Sequence, residues 1–475
     1  MNPENGIRKL SRRSFLHATG GAFGSLALSH LLLRGEEAGG LDSVRHHRPR
    51  AKQVIQLFMN GGVSPVDTFD FKPRLQREHG RRFNPGEGQK VESVTSSPGF
   101  KVLKSPFEFS RHGQCGRWVS RVFPHMAGIV DELAFIVSMT SSTNVHGLGS
   151  YMQNTGFTQP GFPCMGAWIN YALGNISDNL PSFVVLPDPK GLPYNNLGNF
   201  TSGFLPTKHQ GTVIKAESDH PIQYLFPPKE SSQITPEGEV AGRRLLQQLN
   251  RKHQAQRSGD DRLEARIESY ELAARLQLSA PEVFDLSHEP ESIRKNYGMK
   301  HETTMDFARR CILARRMVER GVRFVQVWSG PGGPKNNWDN HADIPVELPY
   351  MADQVDQPIA ALIQDLKVRG MLEETLVIWT TEFGRMPFSQ QQAGRDHNGG
   401  TFVTWMAGGG VRGGTLVGQS DEWGWKAVNP FWCYDLHATV LHLLGIDHER
   451  LTVRNNGIDR RLTDVHGKVI RELLA

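Results

Sequence analysis

Six short runs along the chain are apolar almost without interruption: residues 52–59, 133–139, 182–186, 322–326, 376–380 and 402–406. In the first, Val54, Ile55, Leu57 and Phe58 leave few polar positions. A strand with one face in water alternates, so unbroken apolarity predicts strands covered on both faces, as at the centre of a parallel sheet. Between these runs the period lengthens. Phe307, Cys311, Ala314 and Val318 keep helical spacing up to Gly321, and Val355, Ile359, Leu362 and Leu366 keep it up to Gly370. Leu436, Thr439, Val440 and Leu443 predict a last short helix, stopped by Gly445. Strand–helix–strand units of this length predict an α/β fold: a mostly parallel sheet of six or more strands with helices on both faces. Ligands of such sheets bind beyond the C-terminal ends of the strands.

One segment breaks the pattern. Residues 234–278 are charged, rich in Gln and free of strand signals, which predicts long helices in an insertion reaching about residue 300, a cap or an interaction surface. With 475 residues, 38% of them hydrophobic, the chain can bury a sizeable core, which excludes disordered, collagenous and membrane-bundle classes. The expected organisation is a signal or anchor over residues 1–37, a basic linker over 38–51, and one α/β domain over 52–475 that carries the insertion.

The N-terminal segment has its own chemistry. Ser11, Arg12, Arg13, Phe15 and Leu16 match the pattern of the twin-arginine export route, and a weakly apolar stretch follows to about Leu33. Gly20, Gly21, Gly24 and His30 make that stretch a poor membrane span, which wants about 20 strongly apolar residues. It is either removed or kept as an uncleaved anchor. The expected address is outside the cytoplasm, with the twin-arginine translocase as partner and membrane contact only through that anchor. The formal net charge of +5 includes a surplus of two from residues 1–37, and no aromatic-interleaved basic stripe accompanies it, which argues against nucleic acid. Cys115, Cys164, Cys311 and Cys433 lie far apart, so a disulfide is permitted but not required, and buried free thiols are favoured.

The candidate chemistry collects where the strands end. Asp339 and His341 follow one run, Glu382 and Arg385 follow another, and Arg395, Asp396 and His397 precede the last. Asp67 and Asp70 follow the first. Carboxylates and imidazoles at one sheet edge are what a hydrolytic divalent-metal site needs. The expected ligands are therefore Asp339, His341, Glu382, Asp396 and His397, with Asp67 or Asp70 in addition. Buried, Glu382 could instead pair with Arg385, and Asp396 could instead cap a turn.

A set of longer motifs makes a resemblance specific. GGVSPVDTFDFKP at 61–73, NVHGLGSYMQNTG at 144–156, WDNH at 338–341, TEFGR at 381–385, GRDHNGG at 394–400 and DLHATVLHLLGID at 435–447 stand in order behind the twin arginine. The chain resembles the secreted, planctomycete-type bacterial family of unknown function numbered 1501, which is labelled sulfatase-like. That resemblance implies an alkaline-phosphatase/sulfatase superfold, a three-layer sandwich holding one or two divalent ions. It also implies departures. The strand-end Asp-His pair is matched by Glu382-Phe383, the other acid-and-histidine loop by Asp339 with His341, and the late histidine by His397. The first-strand aspartate is replaced by Asn60-Gly61-Gly62, which leaves Asp67 or Asp70 to substitute. The nucleophile position falls on His146, with Ser141, Ser142 and Thr143 as nearby hydroxyls. The sulfatase string C/S-x-P-x-R is absent, and residues 96–100 come closest without the arginine.

Two functions are therefore expected. The first is an exported hydrolase of phosphate, sulfate or related esters on small molecules or glycans. It uses Zn, Mn, Ca or Fe, with His146 as ligand, acid–base or covalent group and Arg385 or Arg395 neutralising the transferred group. The second is a non-catalytic envelope binding or scaffold protein that keeps the fold.

Overall fold

The apolar runs share one sheet. The computed structural model describes residues 45–87, 89–91, 101–177, 179–217, 235–257, 263, 267, 283–391 and 393–475. The twin arginine, residues 96–100 and part of the expected insertion lie outside them. Eight described strands, β1 (Gln53–Met59), β4 (Ala134–Met139), β5 (Phe183–Leu186), β6 (Thr212–Val213), β7 (Phe324–Ser329), β8 (Thr375–Thr380), β11 (Phe402–Ala407) and β12 (Leu416–Val417), pair in the order β12-β4-β11-β8-β1-β7-β5-β6. Hairpins of β2 (Phe109–His112) with β3 (Arg117–Ser120), β9 (Gly384–Gln390) with β10 (Gly394–Asn398), and β13 (Val453–Asn455) with β14 (Ile458–Arg460) stand apart.

Only β11 runs against its neighbours, antiparallel to both β4 and β8, while β1 pairs in parallel with β7 and β8. The sheet is therefore mostly parallel, as the apolar runs predict. The reversal also brings the start of β11 to the edge where β1, β7 and β8 end.

Alternate residues of each strand feed different cores. Ile55, Leu57 and Met59 of β1 pack with the helices Glu302–Glu319 and Ile344–Val368. Val54 and Phe58 pack on the other face with Met165–Leu173 and Cys433–Leu443. Helices thus cover both faces, giving three layers. Cys164, Cys311 and Cys433 are buried free thiols and Cys115 is an exposed one. Within the expected insertion, Pro236–Ala255 and Glu291–Asn296 are helical. No helix among the described residues is long and apolar enough to cross a membrane.

The structure corrects three readings. The strand expected from residue 322 starts at Phe324, and two-residue edge strands, β6 and β12, extend the sheet. The segments expected as loops around Glu382 and Asp396 instead carry the β9–β10 hairpin, with Asp396 and His397 inside β10. Its apolar positions are the reason: Met386 and Phe388 enter a third core with Phe83, Trp423 and Trp425.

One carboxylate ties two helices of the same layer together. Asp356, inside the helix Ile344–Val368, accepts from the backbone N–H of His125 (2.7 Å) and Met126 (2.8 Å). Burial pushes its pKa up to about 7 although those bonds oppose the shift. A raised carboxyl favours the fold while protonated, so its contribution is complete below about pH 4. That contribution is lost as the pH rises through about 7. Denaturant melts from pH 4 to 8 should show the stability gap between the parent and Asp356→Asn changing steadily; a constant gap would contradict the assignment.

Candidate metal centre

Four loops meet at the C-terminal edge of β1, β7 and β8. After β7 the chain loops out and returns so that the Trp338 N–H donates to Asn60 O (3.0 Å), which sets Asp339 beside the end of β1. This approach requires glycine: Gly61 has φ +126°, and a Cβ there would lie 2.6 Å from the Asp339 nitrogen. His341 is fixed from the far side. The Arg395 N–H donates to Asn340 O (3.1 Å), and a Cβ on Gly394 would fall 1.6 Å from His341 O, so only glycine lets β10 lie against this loop. His397 projects from β10, and His146 is the first residue of the helix His146–Thr155 that follows β4.

Ligand-type atoms of His146, Asp339, His341 and His397 all lie within 4.8 Å of one another. Asp339 Oδ1 is the hub, 2.7 Å from His341 Nε2, 3.1 Å from His397 Nε2, 3.2 Å from His146 Nε2 and 2.5 Å from an Arg385 nitrogen.

The outward nitrogens settle the tautomers. His146 Nδ1 lies 2.6 Å from Glu382 Oε1, His397 Nδ1 lies 2.7 Å from Asn144 O, and His341 Nδ1 contacts Gln390 Oε1. Each partner is an acceptor, so each Nδ1 carries the hydrogen and each Nε2 presents its lone pair inward. Two such lone pairs, on His341 and His397, face each other at 2.8 Å. His146 Nε2 is buried, with Asp339 Oδ1 at 3.2 Å and no hydrogen-bond partner of good geometry. Three converging imidazole nitrogens beside a carboxylate, that of His146 without a partner, call for a cation at their centre. Three imidazoles held by outer acceptors plus one carboxylate form a donor set that a divalent ion fits.

The electrostatics agree. Burial disfavours charge on Asp339, but Arg385 and the three imidazoles reverse this and hold its carboxyl far below the usual range. Burial, with the charges of Arg385 and His146 nearby, pushes His397 down to about 4 although Asp339 opposes it. On His146 burial acts against the proton, yet Asp339 and Glu382 outweigh it and the pKa is raised. The cluster therefore keeps its acid ionised and competes for positive charge.

The other candidate residues stand elsewhere. Glu382 is fully buried behind His146: Oε1 accepts from the Gly61 N–H (2.8 Å) as well as from His146, and Oε2 lies 3.1 Å from Thr381 Oγ1. It positions His146. Asp67 is locked to Arg395 at 2.6 and 3.0 Å with both side chains fully buried, and Asp70 pairs with Lys72 at 2.9 Å. Asp396 accepts from its neighbour's backbone, the His397 N–H, at 2.8 Å. None of the three aspartates enters the cluster. Asp396 lies where the register of the β9–β10 pair shifts, between Arg395 and His397.

Both arginines are spent within the protein. Arg385 donates to the carbonyls of Gly61, Gly62, Trp338 and Arg395 besides Asp339. Arg395 donates to Met386 and Leu103 carbonyls besides Asp67. Each lies fully buried, so neither is placed to neutralise a transferred group.

Three contributors carried no readable signal in the sequence: the Asn144 carbonyl, the Gln390 amide, and Tyr194, whose ring stacks on His146 at 4.5 Å. Two are an ordinary backbone group and an ordinary amide, and their roles depend on long-range packing.

Glu382 supplies a direct test. Glu382→Gln keeps the shape but presents a weaker acceptor to His146 Nδ1, and outer-partner changes of this kind cost about 10–100-fold in metal affinity. Titration calorimetry of the apoprotein with Zn²⁺ should show a drop of that size; unchanged affinity would separate Glu382 from the centre.

A family model described as "Protein of unknown function (DUF1501)" matches residues 51–474. No curated protein matches the chain. Among solved structures it is similar to the lipoteichoic acid synthase of Listeria monocytogenes at 8% identity, covering 86% of this chain and 77% of that one, TM-score 0.33. It is also similar to a sulfatase from Pseudoalteromonas sp. at 12% identity, covering 87% and 71%, TM-score 0.32. For the alkaline phosphatase of the Antarctic bacterium TAB5 the values are 10% identity, 83% and 98% coverage, and TM-score 0.32.

Proposed function

We propose that this chain, which belongs to the DUF1501 family, holds a divalent metal ion on His146, Asp339, His341 and His397 and hydrolyses a phosphate, sulfate or related ester. The observation that carries the reading is the set of three inward imidazole lone pairs converging on one carboxylate oxygen. Three nitrogens and one oxygen suit Zn or Fe, and Mn less well, whereas Ca prefers an all-oxygen shell. Bound there, the ion supplies Lewis acidity toward an ester oxygen and lowers the pKa of water. The residues do the rest. Glu382, Asn144 and Gln390 hold the imidazole rings in one tautomer and orientation, and Arg385 keeps Asp339 ionised and ties together the loops that carry it. As a ligand, His146 is withdrawn from a covalent role.

The second reading, a non-catalytic envelope binding or scaffold protein that keeps the fold, is favoured by one observation. Both nearby arginines are consumed by protein oxygens, which leaves neither to meet a substrate anion. Elemental analysis of protein exported by its own route, followed by aryl phosphate, phosphodiester and sulfate ester assays, separates the outcomes. Stoichiometric metal with turnover supports the hydrolase, whereas protein without turnover, with metal or without it, supports the second reading.

Export through the twin-arginine translocase belongs to the same proposal and is supported by Ser11, Arg12, Arg13, Phe15 and Leu16. Replacing Arg12 and Arg13 together by Lys should leave the protein inside the cytoplasm in a fractionation assay. Unchanged secretion would refute the assignment.

A further inference from the structure

Two cavities beside the centre share a wall. The larger, about 640 Å³, is lined by the hydroxyl-bearing residues 140–143, by Trp425, and by Lys90 and Lys426. The smaller, about 500 Å³, is lined by Phe157, Tyr434 and His466 among others. Ser142 and Trp432 line both, so the two cavities are neighbours on either side of the Trp432 ring, which is 36% exposed. The larger one also reaches Asn144, whose carbonyl holds His397.

Its chemistry is one-sided. No Asp or Glu lines the larger cavity among the described residues, although two ammonium groups do. Lys426 Nζ meets only neutral groups there, donating to Gln89 Oε1 at 3.0 Å and lying 4.1 Å over the Trp425 ring. Ser141 Oγ is buried without a partner, which costs free energy unless a ligand supplies one. In the smaller cavity, aromatic rings dominate. The Asp435 carboxylate is occupied by the backbone N–H groups of Trp432 (2.8 Å) and Lys468 (2.7 Å), and Asp464 adds an acid at that end.

We propose that the two cavities form one trough for an anionic oligosaccharide. Its acidic group lies at the Lys90 and Lys426 end, one ring lies against Trp432, and a neutral ring lies beyond among Phe157 and Tyr434. The exposed face of Trp432 gives a sugar ring an apolar platform, while the Ser and Thr hydroxyls meet its polar edges. A single-stranded nucleic acid fits less well, since it places a phosphate at every residue and would bring one against Asp464. The trough goes beyond the hydrolase reading and does not require the ion.

Calorimetry on the full protein tests this with an oligogalacturonate, a neutral cello-oligosaccharide of equal length and an oligothymidylate. The acidic sugar should bind best, and Trp432→Ala should weaken it about tenfold. Trp432→Phe should restore most of the loss, which excludes misfolding as its cause. Replacing Lys90 and Lys426 by Ala should reduce the acidic sugar to the level of the neutral one. Adding a metal chelator should leave sugar binding unchanged, so a failed hydrolase and a failed trough give different results. No sugar binding, indifference to Trp432→Ala, or tighter binding of the oligothymidylate would overturn the proposal.

Discussion

Asp339→Asn is expected to empty the centre, with ion affinity falling by more than about 100-fold, beyond what an outer partner costs, and ester hydrolysis falling with it. The reason is the position of one atom. Asp339 Oδ1 stands within 3.2 Å of all three inward imidazole nitrogens and 2.5 Å from an Arg385 nitrogen. Asn keeps the size and offers an oxygen, but it removes the only carboxylate of the donor set. The buried positive charge of Arg385 then has no counter-charge beside a cation site, so Coulomb repulsion opposes the ion as well. Elemental analysis of the purified variant, with circular dichroism to confirm folding, provides the measurement. A folded variant with full occupancy would place the ion elsewhere.

How much of this was legible depends on the kind of interaction. The sheet was readable because burial on both faces leaves a nearly continuous apolar run, as at 54–58, where only Gln56 is polar, and at 376–379. The placement of Asp339 and His341 followed from that, since residues after a parallel strand emerge at its C-terminal edge. His397 reaches the same edge for a different reason: it precedes β11, the one reversed strand. Glu382 was legible as a costly buried acid but not as a partner of His146, because 236 residues separate the two and nothing local encodes the contact. The β9–β10 hairpin was not legible either. Its buried charges, Arg385, Arg395 and Asp396, give a polar pattern that reads as a loop, and only the tertiary partners make a buried strand of it. Asp67 was misread as a ligand candidate on the same grounds: an acid near a strand end looks identical whether its counter-charge is a metal ion or Arg395.

That counter-charge makes Arg395→Met the most destabilising change expected near the site. Asp67 and Arg395 are both fully buried, joined at 2.6 and 3.0 Å, and Ser64 Oγ donates a further bond to Asp67 at 2.6 Å. Removing the guanidinium strands a carboxylate with no solvent and no cation, a class of change that costs about 3–5 kcal/mol. It also frees the Met386 and Leu103 carbonyls that Arg395 satisfies. The double variant Asp67→Asn with Arg395→Met removes both charges, and it should recover most of the loss because an ion pair of this kind gains little net stability from its own attraction. Urea melts of the two single variants and the double give the coupling. Additive losses would show that the pair does not act as a unit. Because Arg395 lies two residues from His397 in β10, the single variant should also weaken Zn²⁺ binding, and the double variant should restore it as the strand returns to register. If stability returns and ion binding does not, then the Arg395 side chain positions His397 through its bonds to the Met386 and Leu103 carbonyls rather than through its charge pair with Asp67.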